Sequence, residues 1–340
     1  MAWHARFAMQ CDCVEVLFGE TEGGDGSSCS SSGGGTRVAL GLSNLEGNVW
    51  DGCVKILDCA TGQEQCSVQS ASSMATMAAV SRGRVLAVGA DDGVISLLSA
   101  QDLSPVASFN AHDNIVARVA SFNDDSLLSA GWDGAMHLWG LGEAGSPTAL
   151  VAFENAHAGL ISDCAVNPHS PHVLASVGRD GFLRMWDARD GKVCVDILDL
   201  GDAGSCLAFD LGDATSLAVG TEAGTVMLVD ARKLANDATA LVNRQHEARV
   251  RRIRSVPAAA AAAGRTWVSV SDDTTTAVFT SSSLLAGSSG VIRLTSHTDY
   301  VADVALLAPD AQTHNNSNKF LQIFSASTDC SLACHTQALL

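Results

Sequence analysis

Residues 156 to 187, AHAGLISDCAVNPHSPHVLASVGRDGFLRMWD, alternate apolar and polar positions in three short runs separated by turn-forming residues. The first run leads to Val166 and breaks at Asn167-Pro168, the second spans His172 to Val177 and ends in Gly178-Arg179-Asp180-Gly181, and the third, Phe182 to Trp186, closes on Asp187. Period-two alternation bounded by Gly, Pro, Asn and Asp predicts half-buried strands joined by tight turns. Four polar residues in this stretch suit a hydrogen-bond chain. The Trp186 indole N–H can donate to Ser176, the Ser176 hydroxyl can reach the His157 ring, and that ring can reach the Asp180 carboxylate. Each group is costly to bury alone and acceptable when paired.

A His, Ser, Asp and Trp at these offsets within a four-strand rhythm mark a WD-type repeat, and the stretch measures the rest of the chain. A second intact set is His112, Ser129, Asp133 and Trp139. Before it, one segment carries strands Val14 to Phe18, Arg37 to Leu42 and Cys53 to Leu57, with Asp51 at the turn and Leu57 in place of Trp. Another turns at Ala90-Asp91-Asp92-Gly93, with Leu98 in place of Trp. After it, residues 216 to 232 put Ala223 and Val229 where Asp and Trp belong. His246, Ser269, Asp273 and Phe279 form a sixth set, and His297, Ser325, Asp329 and His335 a seventh. At about 40 to 50 residues per repeat, the 340 residues predict an all-β, seven-bladed WD-repeat β-propeller in one domain. The low-complexity stretches 20–35 and 257–264 are expected to be loop inserts, because they hold too little apolar surface to order themselves. The last repeat lacks an outer strand, which residues 3–9 are expected to supply and so close the ring.

Composition narrows the function classes. A formal net charge of −17 with a pI near 4.8 disfavours direct nucleic-acid and anionic-membrane partners and favours basic ones. The exception is Arg244, Arg249, Arg251, Arg252 and Arg254, expected to line a solvated blade edge. No run of 18 apolar residues could span a membrane and the N-terminus lacks a signal-type apolar core, so the expected location is intracellular. Eleven cysteines without paired metal spacing read as reduced thiols, and neither Cys11-x-Cys13 nor Cys330-x-x-x-Cys334 has a matching second pair for zinc. No P-loop, nucleophile elbow or metal-spaced His set stands out, so neither enzyme activity nor a cofactor is expected. Ser, His and Asp of one repeat are the residue types of a hydrolase triad, but here the Asp sits in a turn and the Trp claims the Ser, which assigns them to the scaffold.

One turn differs from the others. Residues 41 to 57, GLSNLEGNVWDGCVKIL, lengthen the connection between the second and third strands of the first repeat and are expected to present Trp50 at its tip. An aromatic side chain there has no core to fill and suits a protein–protein anchor.

The chain resembles the WD-repeat subunit family of the methylosome. The resemblance rests on Gly41-x-Ser43-x-Leu45-x-Gly47-x-x-Trp50-x-Gly52, Asn167-Pro168-His169 with Val173 to Ser176, Gly224-Thr225-Val226 with Leu228-Val229-Asp230, and His297-x-Asp299-Tyr300-Val301-x-Asp303. His335 also stands where that family replaces the last Trp. The resemblance implies a non-catalytic, cytoplasmic and nuclear partner of a type II protein arginine methyltransferase. It would help present Arg-rich substrates such as histone tails and Sm proteins, with Leu45, Asn48, Val49, Trp50 and Asp51 as partner-binding residues. Asn48 departs from the basic residue expected there. A second expectation comes from Trp186-Asp187-Ala188-Arg189, a WD-x-R sequence resembling the feature by which substrate receptors of cullin-type ubiquitin ligases dock on their adaptor through residues such as Asp187 and Arg189. Asp187 and Arg189 also read as a plain strand-end turn.

Overall fold

The apolar alternation that marks each repeat buries both faces of its inner strands, and in the computed structural model this produces seven four-stranded antiparallel sheets arranged as a ring. The structure describes residues 2–17, 36–44, 50–142, 147–189, 197–232, 241–257, 265–285, 290–308 and 320–338. Blades 1 to 6 each consist of four consecutive strands, and the innermost strand of every blade packs on that of the next until blade 7 meets blade 1. The core is correspondingly divided into seven apolar clusters, one between each pair of neighbouring blades. The inserts at 20–35 and 257–264, Pro257 apart, fall outside the described residues.

Blade 7 combines Val301–Leu307, Phe320–Ser327 and Ser331–Ala338 with Trp3–Arg6 as its outermost strand. Trp3 pairs with Cys334, its indole N–H donates to the Cys59 carbonyl of blade 1 at 2.8 Å, and the Phe7 N–H donates to the Cys330 carbonyl at 2.8 Å. The seam between first and last blades therefore has backbone pairing as well as apolar contact. In blade 1 the first strand is Gln10–Leu17, earlier than the sequence pattern suggested. Asp12 is the extra residue of a β-bulge between Cys11 and Cys13. Cys11 belongs to the core facing blade 7 and Cys13 to the core facing blade 2, so the two thiols lie in different clusters.

Every innermost strand carries the same bulge, and the residue after it is buried: Cys13, Thr76, Arg118, Asp163, Cys206, Arg252 and Asp303. Several of these side chains reach the following blade. Asp163 accepts the Leu207 N–H at 3.0 Å and Asp303 accepts the Val14 N–H at 3.2 Å. Here four of the five clustered arginines correct their sequence reading, whereas Arg244 is exposed on the outermost strand of blade 5, as expected. Arg252 lies buried and joins Asp163 of blade 4 at 3.1 Å to Asp303 of blade 7 at 3.0 Å. Arg254 reaches Glu15 at 3.5 Å, Arg251 pairs with Asp272, and Arg249 approaches Glu222 at 3.5 Å. These arginines are not a solvated face, because an innermost strand has neighbours on both sides and its polar positions must find partners inside the ring. Burial opposes the charge of Arg252, but Asp163 and Asp303 hold its guanidinium above the ordinary range. Burial, followed by repulsion from Arg252, brings Arg118 down to about 10, although its Nε lies 3.3 Å from Asp163.

Candidate interaction sites on the propeller

The four residues of each intact repeat meet between the blade's second and third strands and the loop that leads into its first. In blade 4, Trp186 Nε1 donates to Ser176 Oγ at 2.8 Å, Ser176 Oγ and His157 Nε2 are 2.7 Å apart, and His157 Nδ1 lies 2.8 Å from Asp180. With the Trp N–H occupying the serine oxygen, the hydroxyl donates to Nε2 and Nδ1–H donates to the carboxylate, which sets the tautomer. In blade 3 the distances are 2.9 Å for Trp139 to Ser129, 2.8 Å for Ser129 to His112 and 3.0 Å for His112 to Asp133. Asp180 also accepts the Ala158 N–H at 3.1 Å and an ion pair from Arg184 at 2.6 Å. Burial alone would raise its carboxyl, yet the hydrogen bonds from His157 and Arg184 bring it to about 2. Burial holds His157 and His112 below the ordinary imidazole range. A serine whose oxygen is taken by an indole and whose hydroxyl is buried is poorly placed to attack a substrate, so the arrangement is architectural.

Other blades keep part of the chain. Blade 6 retains His246, Ser269 and Asp273, with buried Phe279 replacing the Trp. In blade 7, Ser331 lies between His297 and Asp329, and His335 pairs with Ser296 at 3.0 Å rather than with Ser325.

Trp50 is 59% exposed. It stands on the returning limb of the blade 1 turn, next to Asp51, whose carbonyl accepts the Asn44 N–H at 2.9 Å. It therefore lies near the base of the turn rather than at its apex. Of the other residues singled out there, Leu45, Asn48 and Val49 fall outside the described residues. Asp187 and Arg189 close on each other at the end of a blade 4 strand, with Arg189 Nε 2.9 Å from the Asp187 carboxylate. The same device recurs in blade 5, where Arg232 Nε lies 3.0 Å from Asp230.

Successive strands run in opposite directions, so the turns between second and third strands and the loops entering each first strand share one end of the ring. That end carries exposed Trp50, Trp132 (37%) and Tyr300 (47%). The second-to-third-strand turns alone place Asp51, Asp91, Asp133, Asp180, Glu222, Asp273 and Asp329 there, one or more from every blade. Arg179 and Arg249 stand among them, both directed at Glu222 at 3.6 and 3.5 Å. At the opposite end Arg37, Arg82, Arg84, Arg189, Arg232 and Arg265 stand among Asp58, Asp102, Asp124, Asp125, Asp187, Asp213 and Asp230. Among the described residues, acidic side chains outnumber basic ones at both ends, and by more at the end that displays exposed Trp50 and Trp132. Trp132 was not singled out from the sequence; it adjoins Asp133, which reads as a tetrad residue. Its signal was the one that marked Trp50, an aromatic in a polar turn.

The sheets, the bulges and the buried tetrads define a seven-bladed WD-repeat β-propeller. The WD domain, G-beta repeat model matches residues 103–140 and 149–187, the two stretches that hold the complete tetrads. Over its greater part the chain is similar to Methylosome protein WDR77 of Xenopus laevis, with 28% identity across 79% of this chain and 79% of that protein. Shorter likenesses run to Telomerase protein component 1 of Mus musculus, 26% identical over 50% of this chain but 6% of that protein, and to Small ribosomal subunit protein RACK1 of Caenorhabditis elegans, 33% identical over 21% of each. The first spans most of both chains, whereas the others cover a part of this one.

Proposed function

We propose that this protein is a non-catalytic WD-repeat scaffold of a methylosome, which binds a type II protein arginine methyltransferase and helps present Arg-rich substrates to it. The observation that carries the reading is Trp50, a large aromatic side chain that is 59% exposed on a turn longer than its counterparts and has no core to fill. The likeness to Methylosome protein WDR77 supports the choice of partner. The acidic end on which Trp50 stands supports a basic substrate, since opposite charge accelerates encounter and suppresses anionic competitors.

An anchor of this kind behaves as a hot spot. Trp50→Ala should weaken methyltransferase binding by about 2 to 4 kcal/mol, roughly thirty-fold to a thousand-fold, and change the stability of the free chain by no more than about 0.5 kcal/mol. Titration calorimetry and thermal melts measure the two quantities. Retained binding with a collapsed melting temperature would remove Trp50 from the interface. The purified chain alone should transfer no methyl group from S-adenosylmethionine to a histone tail or Sm substrate.

A second reading, docking on the adaptor of a cullin-type ubiquitin ligase, is favoured by the recurrence of Asp187 and Arg189 as Asp230 and Arg232 on the neighbouring blade. Under that reading Arg189→Ala abolishes co-purification with the adaptor while Trp50→Ala leaves it intact.

A further inference from the structure

Between blades 3 and 4, on the acidic end of the ring, the turn holding Trp132 and Asp133 faces the loop from Asn155 to Leu160 across a cleft of about 490 Å³. Trp132, His157 and Arg184 are among the residues that line it. Ala158 and Gly159 line it as well. A Cβ built on Gly159 would meet nothing within 4 Å, so the cleft is open above it. The Asp133 carboxylate borders the cleft, held by His112 and by the N–H groups of Asp113 and Ala135 at 3.1 and 3.0 Å. Exposed Asp113 and Glu154 flank it in the adjoining loops.

An exposed indole face beside fixed carboxylates suits a guanidinium, which can lie flat over a ring while its N–H groups point to oxygens. The protein already makes this arrangement internally. The Arg184 guanidinium lies 5.4 Å from the Phe182 ring centroid and pairs with Asp180, and Arg251 lies 5.9 Å from the Tyr300 centroid and pairs with Asp272. In contrast, Trp132 is exposed and its turn contributes no cation.

We infer that the cleft between blades 3 and 4 receives an arginine side chain of a basic, extended peptide segment, with Trp132 as the stacking face and Asp133 as the carboxylate that lines it. This rests on the reading of the chain as a scaffold for arginine-bearing substrates. Its failure is separable from that of the scaffold reading, because peptide binding is measured with the methyltransferase absent.

The probe is a synthetic glycine–arginine repeat peptide, titrated into the intact chain by calorimetry at low ionic strength, beside the same peptide with citrulline replacing arginine. Trp132→Ala should weaken binding about tenfold. Gly159→Leu, which fills the cleft at a position with free space around it, should do the same and keep the wild-type melting temperature. Phe320→Ala removes an exposed aromatic at the opposite end and should bind as the wild type does. Equal binding of the citrulline peptide, or wild-type affinity in both Trp132→Ala and Gly159→Leu, overturns the inference. So does loss of methyltransferase binding by Trp132→Ala with peptide binding retained, which would assign the cleft to the enzyme interface instead.

Discussion

Blades 4 and 5 are neighbours with the same strand order and the same bulge, yet they fill their interiors with opposite chemistry. Aligned through the pairs Ile161↔Gly178 and Gly204↔Thr221, the positions of His157, Ser176, Asp180 and Trp186 become Leu200, Val219, Ala223 and Val229. Leu200, Val219 and Val229 belong to one apolar cluster, and the Leu200 N–H still reaches the Gly181 carbonyl at 2.9 Å, as the His157 N–H reaches Gly134 at 3.4 Å. The bulge position changes in the same way, from Asp163 in blade 4 to Cys206 in blade 5. Blade 1 resembles blade 5, with Phe7, Leu40 and Leu57 in the corresponding core. The backbone of a blade therefore does not require the tetrad. What it requires is that every polar member it keeps has a partner: blade 6 gives up only the Trp, to Phe279, and retains the bonds of His246 to Ser269 and Asp273, whereas the apolar set of blade 5 leaves no such group to pair.

The largest effect is expected at the charge that blade 4 depends on and blade 5 lacks. Arg252→Ala leaves Asp163 and Asp303 buried without their shared partner and should cost about 3 to 5 kcal/mol by urea unfolding. Cys206→Ala, at the corresponding bulge position of blade 5, should cost clearly less, and equal losses would break the comparison. Breaking the pairing of polar groups within each blade comes next. Ser176→Ala in blade 4 strands the Trp186 N–H and the His157 ring, while Val219→Ser in blade 5 buries a hydroxyl among Leu200 and Val229. Each should cost about 1 to 3 kcal/mol. The converse sharpens the point. Transplanting the blade 5 set as His157→Leu, Ser176→Val, Asp180→Ala and Trp186→Val should destabilise by less than the sum of the four single changes, because the tetrad residues act as one network. An additive result would show that they do not.

The smallest effect is in the pH dependence. Burial holds His112, His157 and His297 below their ordinary range, so the folded state binds fewer protons on them than the unfolded state does. Their contribution is complete above the unfolded imidazole value, near 6.5, and is lost as pH falls through the lower folded values. Asp180, at about 2, adds a further loss below the ordinary carboxylate range. Melting temperatures should decline from pH 7 toward pH 5, and the fourfold apolar variant of blade 4 should decline less steeply.

How much of this was legible in the chain follows from the range of each interaction. The seven repeats, the tetrads at His112 and His157 and the missing outer strand of blade 7 were readable because they depend on short-range periodicity and fixed offsets. The apolar replacement of Asp and Trp in blade 5 was visible at Ala223 and Val229, but Leu200 in place of His became evident only once the strand register was known. The Arg252 network was read wrongly. Alternation tells which residues share a strand face but not that both faces of an innermost strand are enclosed, and Arg252 meets Asp163 across 89 residues of sequence. Likewise the net charge of −17 is a property of the sequence, whereas the gathering of one acidic turn from every blade on the end that carries Trp50 and Trp132 is decided by the ring, which brings seven turns far apart in the chain to one surface.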